Sequence, residues 1–138
     1  MTDPAPRNDN AHDHANQNRA AETQRRRQSY RTGKWSERAA AAALMLKGYR
    51  ILARGFRTRT GEIDLIGVRG RRIAFIEVKR RLTMDAAEAA ISERQRQRVR
   101  RAAEIWMSRN RRYENHQQGF DVVFVLPRRW PRHLPDAL

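Results

Sequence analysis

The sequence predicts an α/β domain with a mixed β-sheet flanked by helices and preceded by a disordered N-terminal tail. Three observations carry this. The periodic segments run helix, three strands, helix, strand. Two of the strands are separated only by the tight basic turn Arg69-Gly70-Arg71, and the segment GFDVVFVL reads as a buried strand.

Residues 1 to 30 are rich in Asn, Gln, Arg and Asp and have almost no large apolar side chains, so they cannot offset ordering entropy and are expected to be disordered. His12 and His14 lie there, either as a metal pair or as two solvated tail histidines. The domain is expected over residues 31–127, with order beginning near Trp35. Ser36 reads as an N-cap for the helix ERAAAAALMLK, and Gly48 as its stop. A strand at about Tyr49–Arg54 follows, then an Arg- and Thr-rich stretch, Gly55–Thr60. Next come strands at Glu62–Val68 and Arg72–Arg80, a long helix at about Asp85–Ser108 and the strand Gly119–Leu126. The Pro-rich end, 128–138, reads as a C-terminal tail.

The 138 residues suit one domain plus tails. Lys and Arg number 30 against 15 acids, a net charge of +15, and residues 32–138 carry +13 of it. The excess therefore belongs to the folded part and favours a polyanionic partner, most simply nucleic acid, through phosphate neutralisation. A membrane partner requires a basic amphipathic helix with apolar residues to spare, and the core leaves none. The absence of cysteine excludes disulfides and thiolate metal sites. No apolar run reaches the roughly 18 residues of a membrane span, and the N-terminus lacks the apolar middle of a signal peptide, so a cytoplasmic protein is expected.

Strand alternation puts Glu62, Asp64, Ile66 and Val68 on one face of their strand, and Ile73, Phe75, Glu77 and Lys79 on one face of theirs, which a hairpin would bring to the same side of the sheet. A hairpin centred on Gly70-Arg71 would oppose Val68 with Ile73, Ile66 with Phe75, Asp64 with Glu77 and Glu62 with Lys79. Asp64 and Glu77 would then have Cβ atoms about 5 Å apart. Like charges that close need a cation between them. With carboxylate donors and no cysteine, that cation is Mg²⁺ (or Mn²⁺) rather than zinc. Lys79 could hold a water or a phosphate oxygen, which completes the parts for metal-assisted phosphodiester hydrolysis. The competing reading is a solvated face with a surface ion pair between Glu62 and Lys79. Glu37 opens the expected first helix, where it would also suit the dipole. Gln95 falls in the apolar stripe Ile91, Val99, Ala102, Trp106, either as a satisfied core amide or as a contact to the site. Arg94, Arg96, Arg98, Arg100 and Arg101 are expected to form a phosphate-facing side of the long helix.

The segments WSERAA, LKGYRILAR, GEIDLI, FIEVKRR and GFDVVFV resemble the YraN-like family of small bacterial proteins over roughly Lys34–Val125. That family is similar to the restriction-endonuclease-like fold of PD-(D/E)XK nucleases and of archaeal Holliday-junction resolvases. The resemblance implies metal-binding acids at Asp64 and Glu77, a further ligand from the Val78 carbonyl, and Lys79 as the lysine of the E-x-K element. Glu37 would match the first-helix acid of resolvase-type members. It also implies a homodimer. Three positions depart from the pattern: Ile63 replaces the motif's Pro, Gln95 stands where Lys is expected, and Gly119 where Arg is expected. Asp121 matches and reads as structural.

Three functions follow. One is a metal-dependent endonuclease on DNA, possible substrates being branched or repair intermediates, with nucleic-acid contacts at Arg71, Arg80, Arg81, Arg94, Gln95, Arg98 and Arg101. The second is a nucleic-acid-binding module, for DNA or RNA, that keeps the fold without turnover. The third is a small basic RNA- or ribosome-associated protein.

Overall fold

The computed structural model describes residues 10–89 and 91–138. It divides into two units, residues 1–34 and 35–138. The first contains the exposed opening of a long helix, α1 (Asn10–Leu46). Residues 10–30 of the segment expected to be disordered lie within α1, where Ala, Gln, Arg and Glu favour a helix although no apolar stripe exists to dock it. Residues 16–31 are all exposed, in keeping with a segment that has nothing to bury. The side chains of His12 and His14 lie outside the described residues.

In the second unit α1 continues from Trp35, so Ser36 is no N-cap but a buried helix-interior residue, and Glu37 sits mid-helix, away from the dipole's positive end. The helix stops where the sequence says it should. Gly48, at φ +90°, takes the left-handed conformation. Tyr49 N–H donates to Leu44 O at 3.1 Å and Gly48 N–H to Met45 O at 3.0 Å, the two bonds of a Schellman stop.

Five strands follow in sheet order β1 to β5: β1 (Arg50–Arg57), β2 (Glu62–Arg69), β3 (Arg72–Arg80), β4 (Gln117–Val125) and β5 (Arg132–Leu134). Among the described strands only β3 and β4 pair in parallel, which requires a crossover. Helices α2 (Met84–Glu88) and α3 (Glu93–Arg109) and a 3₁₀ turn (Arg111–Tyr113) supply it. The single helix expected from Asp85 is thus two. The Ser92 hydroxyl accepts from Gln95 N–H at 3.2 Å and starts α3 afresh. The expected C-terminal tail instead supplies β5, which pairs with β4 through His133↔Val123, and Leu138 is buried.

Each face of the sheet carries a core. On one side Ala40, Ala41 and Leu44 of α1 pack on Leu65, Ala74, Ile76, Val123 and Val125. On the other, Val99, Ala102, Ala103 and Trp106 of α3, spaced one helical stripe apart, cover Ile66, Ile73, Phe75, Val122 and Phe124. Trp106 meets Phe75 edge-on at 6.0 Å. Each such fully buried side chain contributes roughly 1.5–3 kcal/mol.

The turn between β1 and β2 rests directly on α3. Thr58 closes it, its hydroxyl bonding Gly61 O at 2.9 Å and accepting from Gly61 N–H at 3.0 Å. A Cβ at Gly61 would collide with the backbone carbonyl of Arg98. Gly61→Ala is therefore expected to destabilise by about 1–3 kcal/mol, as overpacking against backbone does. Urea unfolding checks this, and a neutral result would mean that α3 is free to move off the turn. Among the described residues, no helix is long and apolar enough to cross a membrane.

Candidate functional site

The hairpin forms in the expected register near its turn. Arg69 pairs with Arg72, Val68 with Ile73 and Ile66 with Phe75, and Gly70 at φ +57° takes the first turn position, which suits the strands' twist. The ladder's last pair is Leu65↔Ile76. Beyond it a side chain takes over, as Asp64 Oδ2 accepts from Val78 N–H at 2.8 Å. Asp64 and Glu77 stand close enough for each carboxyl to act on the other's charge. Lys79 Nζ lies 3.4 Å from Glu77 Oε1, both side chains being nearly closed off from water (9% and 13% exposed).

The expected Glu62–Lys79 pair does not form. Because the ladder ends at Leu65, Glu62 turns to its β1 neighbour Arg57 at 3.6 Å, an exposed pair of little energetic weight. Gln95, whose reading was open, faces the site: its Nε2 donates to Glu77 Oε1 at 3.4 Å. Glu37 is half-buried on α1, one turn before Ala40 and Ala41.

Burial dominates the electrostatics here. It raises Asp64 above its ordinary value, with the Val78 N–H opposing. Burial, then the adjacent Asp64 charge, pushes Glu77 up to about 7 against the pull of Lys79. The pair is thus two carboxyls held where water cannot spread their charge.

The arginines divide. Arg94, Arg98 and Arg101 share an exposed face of α3, spaced four and three residues apart. Arg80 and Arg81 follow Lys79 at the end of β3, whereas Arg71 lies in the hairpin turn at the opposite end of that strand. Arg100 is occupied within the fold, over the Phe120 ring at 4.5 Å.

A second polar cluster lies near the start of β3, and of its members only Asp121 stood out in the sequence. Asp121, fully buried, accepts from Arg72 through both oxygens (2.9 and 2.7 Å), and its Oδ2 lies 2.7 Å from His133 Nε2. Asp136 N–H donates to it at 3.0 Å, and Arg72 also reaches Tyr49 Oη at 3.1 Å. Burial would raise Asp121, but Arg72, His133 and the Asp136 N–H together hold it down to about 2. Gly119 has its reason here, since the Arg72 guanidinium fills the space that a side chain at 119 would need. A charged residue inside GFDVVFVL requires a buried partner. That was the available signal for Arg72, and none pointed to His133.

Fold and site together define a small basic α/β protein with a closed acid–acid–lysine cluster at the open end of a hairpin. The chain belongs to the uncharacterised protein family UPF0102, whose model matches residues 36–125. This is the YraN-like family that the sequence motifs resemble. The chain is 55% identical to a UPF0102 protein of Methylorubrum extorquens (strain PA1) over 113 residues, 82% of this chain and 88% of the relative. It is 52% identical to the UPF0102 protein mlr4633 of Mesorhizobium japonicum over 112 residues, 81% and 90% of the two chains. With the UPF0102 protein R00337 of Rhizobium meliloti the identity is 44% over 113 residues, 82% and 93% of the two. The span matched by the family model contains Glu37, Asp64, Glu77, Lys79 and Gln95.

Proposed function

We propose that this protein is a cytoplasmic metal-dependent nuclease that hydrolyses phosphodiester bonds in nucleic acid, DNA rather than RNA, with branched or repair intermediates as substrates. The observation that supports this is the closeness of Asp64 and Glu77, two half-buried carboxyls, to each other and to the single ammonium of Lys79. An arrangement that raises both acids is costly unless something cationic joins them.

The donor set fits a hard divalent cation. It consists of carboxylate oxygens, to which the family resemblance adds the Val78 carbonyl and, from α1, Glu37. Among the described residues no three His, Asp or Glu side chains gather as a metal group, so Asp64 and Glu77 carry the main share. Bound there, Mg²⁺ or Mn²⁺ would supply a Lewis acid and an activated water. Lys79 would neutralise the charge that develops on the phosphate oxygens. Gln95 holds Glu77 in place from α3, and the face of Arg94, Arg98 and Arg101 would take the flanking phosphates. The resemblance to junction resolvases adds a homodimer.

One observation favours the second reading, a nucleic-acid-binding module without turnover. Lys79 and Gln95 both already bond Glu77, which a purely structural cluster would also need. Titrating Mg²⁺ into the protein with a fluorescent four-way DNA junction separates the two. Cleavage is expected to depend on the ion and to vanish in Asp64→Ala and Glu77→Ala, while junction binding persists and weakens steeply with salt. A junction left intact by the wild type at every ion concentration, yet bound, would leave only the module. Binding indifferent to salt would remove nucleic acid from both.

A further inference from the structure

Where β3 and β4 end, a groove of about 330 Å³ opens, lined by Trp35, Arg80, Pro127, Arg128, Arg129 and Trp130. Its volume is at the lower end for small-ligand sites, roughly 300–1,000 Å³, which suits a single nucleotide better than a duplex. The two indoles are conspicuous, at 63% and 64% exposed in a chain that buries its third tryptophan, Trp106. Neither stacks on another ring among the described residues. Nor is any of the three guanidinium groups paired with a carboxylate among them.

The backbone adds an independent observation. Arg128 has φ +56° and follows Pro127 in a turn. Proline followed by a positive φ is the type II pattern, whose second central position glycine fills at no steric cost. An arginine in that conformation is strained, so its side chain has a reason to be there that the turn does not provide. The groove opens on the α1 side of the sheet, opposite the acid pair, because alternation turns Arg80 away from the α3-facing Glu77 and Lys79. Arg80 immediately follows Lys79, and its ladder partner Val125 ends β4.

We infer that this groove binds an unpaired stretch of nucleic acid, with bases stacked on Trp35 and Trp130 and phosphates on Arg80, Arg128 and Arg129. Exposed aromatic faces among unpaired arginines match a polymer that alternates flat bases with anions. An acidic peptide would use the arginines and leave the indoles idle. This rests on the nucleic-acid reading above and sharpens it: the substrate carries a single-stranded segment.

Fluorescence anisotropy of the full-length protein with labelled oligothymidylate, and with a blunt duplex of the same length, tests it. Trp35→Ala and Trp130→Ala are each expected to weaken oligothymidylate binding at least about fivefold, the lower end of base–aromatic stacking, and to leave duplex binding unchanged. Trp130→Phe should restore most of the loss, because phenylalanine still stacks. Arg128→Gly should weaken single-strand binding while the thermal midpoint holds or rises, which no folding defect would produce. Oligothymidylate affinity unaltered in both tryptophan variants overturns the inference, and so does an equal loss for both nucleic acids. A tryptophan variant that changes the sedimentation of the free protein also overturns it, assigning the surface to contacts between copies. A wild type that binds neither nucleic acid would sink the nucleic-acid reading along with this one.

Discussion

Replacing Arg72 with alanine is expected to cost about 3–5 kcal/mol, because it strands the fully buried Asp121 without its cation. Asp121 would keep His133 and the Asp136 N–H, neither of which carries a fixed positive charge. For a protein whose whole stability is on the order of 5–15 kcal/mol, such a loss threatens folding outright. The pH dependence identifies the cause. In the wild type Asp121 is depressed from 3.8 to about 2, so its contribution is complete above 3.8 and fades as the pH falls through 2. Without Arg72 its carboxyl should titrate far higher, so the deficit of the variant should shrink on acidification as Asp121 is neutralised. Urea unfolding at pH 7 and pH 3 measures both. A deficit below about 1 kcal/mol at pH 7, the scale of a surface pair, would mean that water replaces the guanidinium.

At the candidate site the opposite sign is expected. Glu77→Gln should stabilise the ion-free protein at pH 8 while sharply lowering the cleavage proposed above. Glu77 is raised from 4.5 to about 7, so the folded state holds its proton more tightly than the unfolded chain does. Stability from this group is therefore full below pH 4.5 and is lost as the pH rises to 7, the total being at most about 3 kcal/mol. The amide removes that slope and leaves one carboxylate, Asp64, for the one ammonium of Lys79. Thermal midpoints should converge near pH 4 and separate in favour of the variant at pH 8. Mg²⁺ should lift the wild type at pH 8 and not the variant, and cleavage should fall roughly a hundredfold or more. A Glu77→Gln protein less stable than wild type at pH 8 would make the cluster a structural ion pair. Gain of stability with loss of function is the signature of a site strained for use.

The extent to which the sequence revealed these features follows from the range of the forces involved. The hairpin was readable because alternation and Gly70 act within a few residues, and they brought Asp64 to Glu77. They failed at Glu62 and Lys79, where the ladder stops and side-chain bonds decide. The break before α3 had a local signal, Ser92 three residues before Gln95 as in a capping box, but unbroken apolar spacing on either side masked it. Gln95, which would complete that box by reaching back, turns to Glu77 instead. Arg72 and Asp121 are 49 residues apart, and no pattern in the chain links them. β5 is three residues long and bounded by Pro131 and Pro135, so only its partner makes it a strand.

The free edge of the sheet has a consequence for the protein at cellular concentrations. Among the described residues β1 has a strand partner on one side alone, so its other side is an open template for any extended chain. Arg50, Arg54 and Arg57 are exposed along it, and a bulge between Ile51 and Ala53 breaks its regular spacing. A second copy docking there would set arginine against arginine over a kinked ladder. The positive charge along β1 thus guards the protein against aggregation by strand addition, and the homodimer of the proposed reading would have to form on another surface.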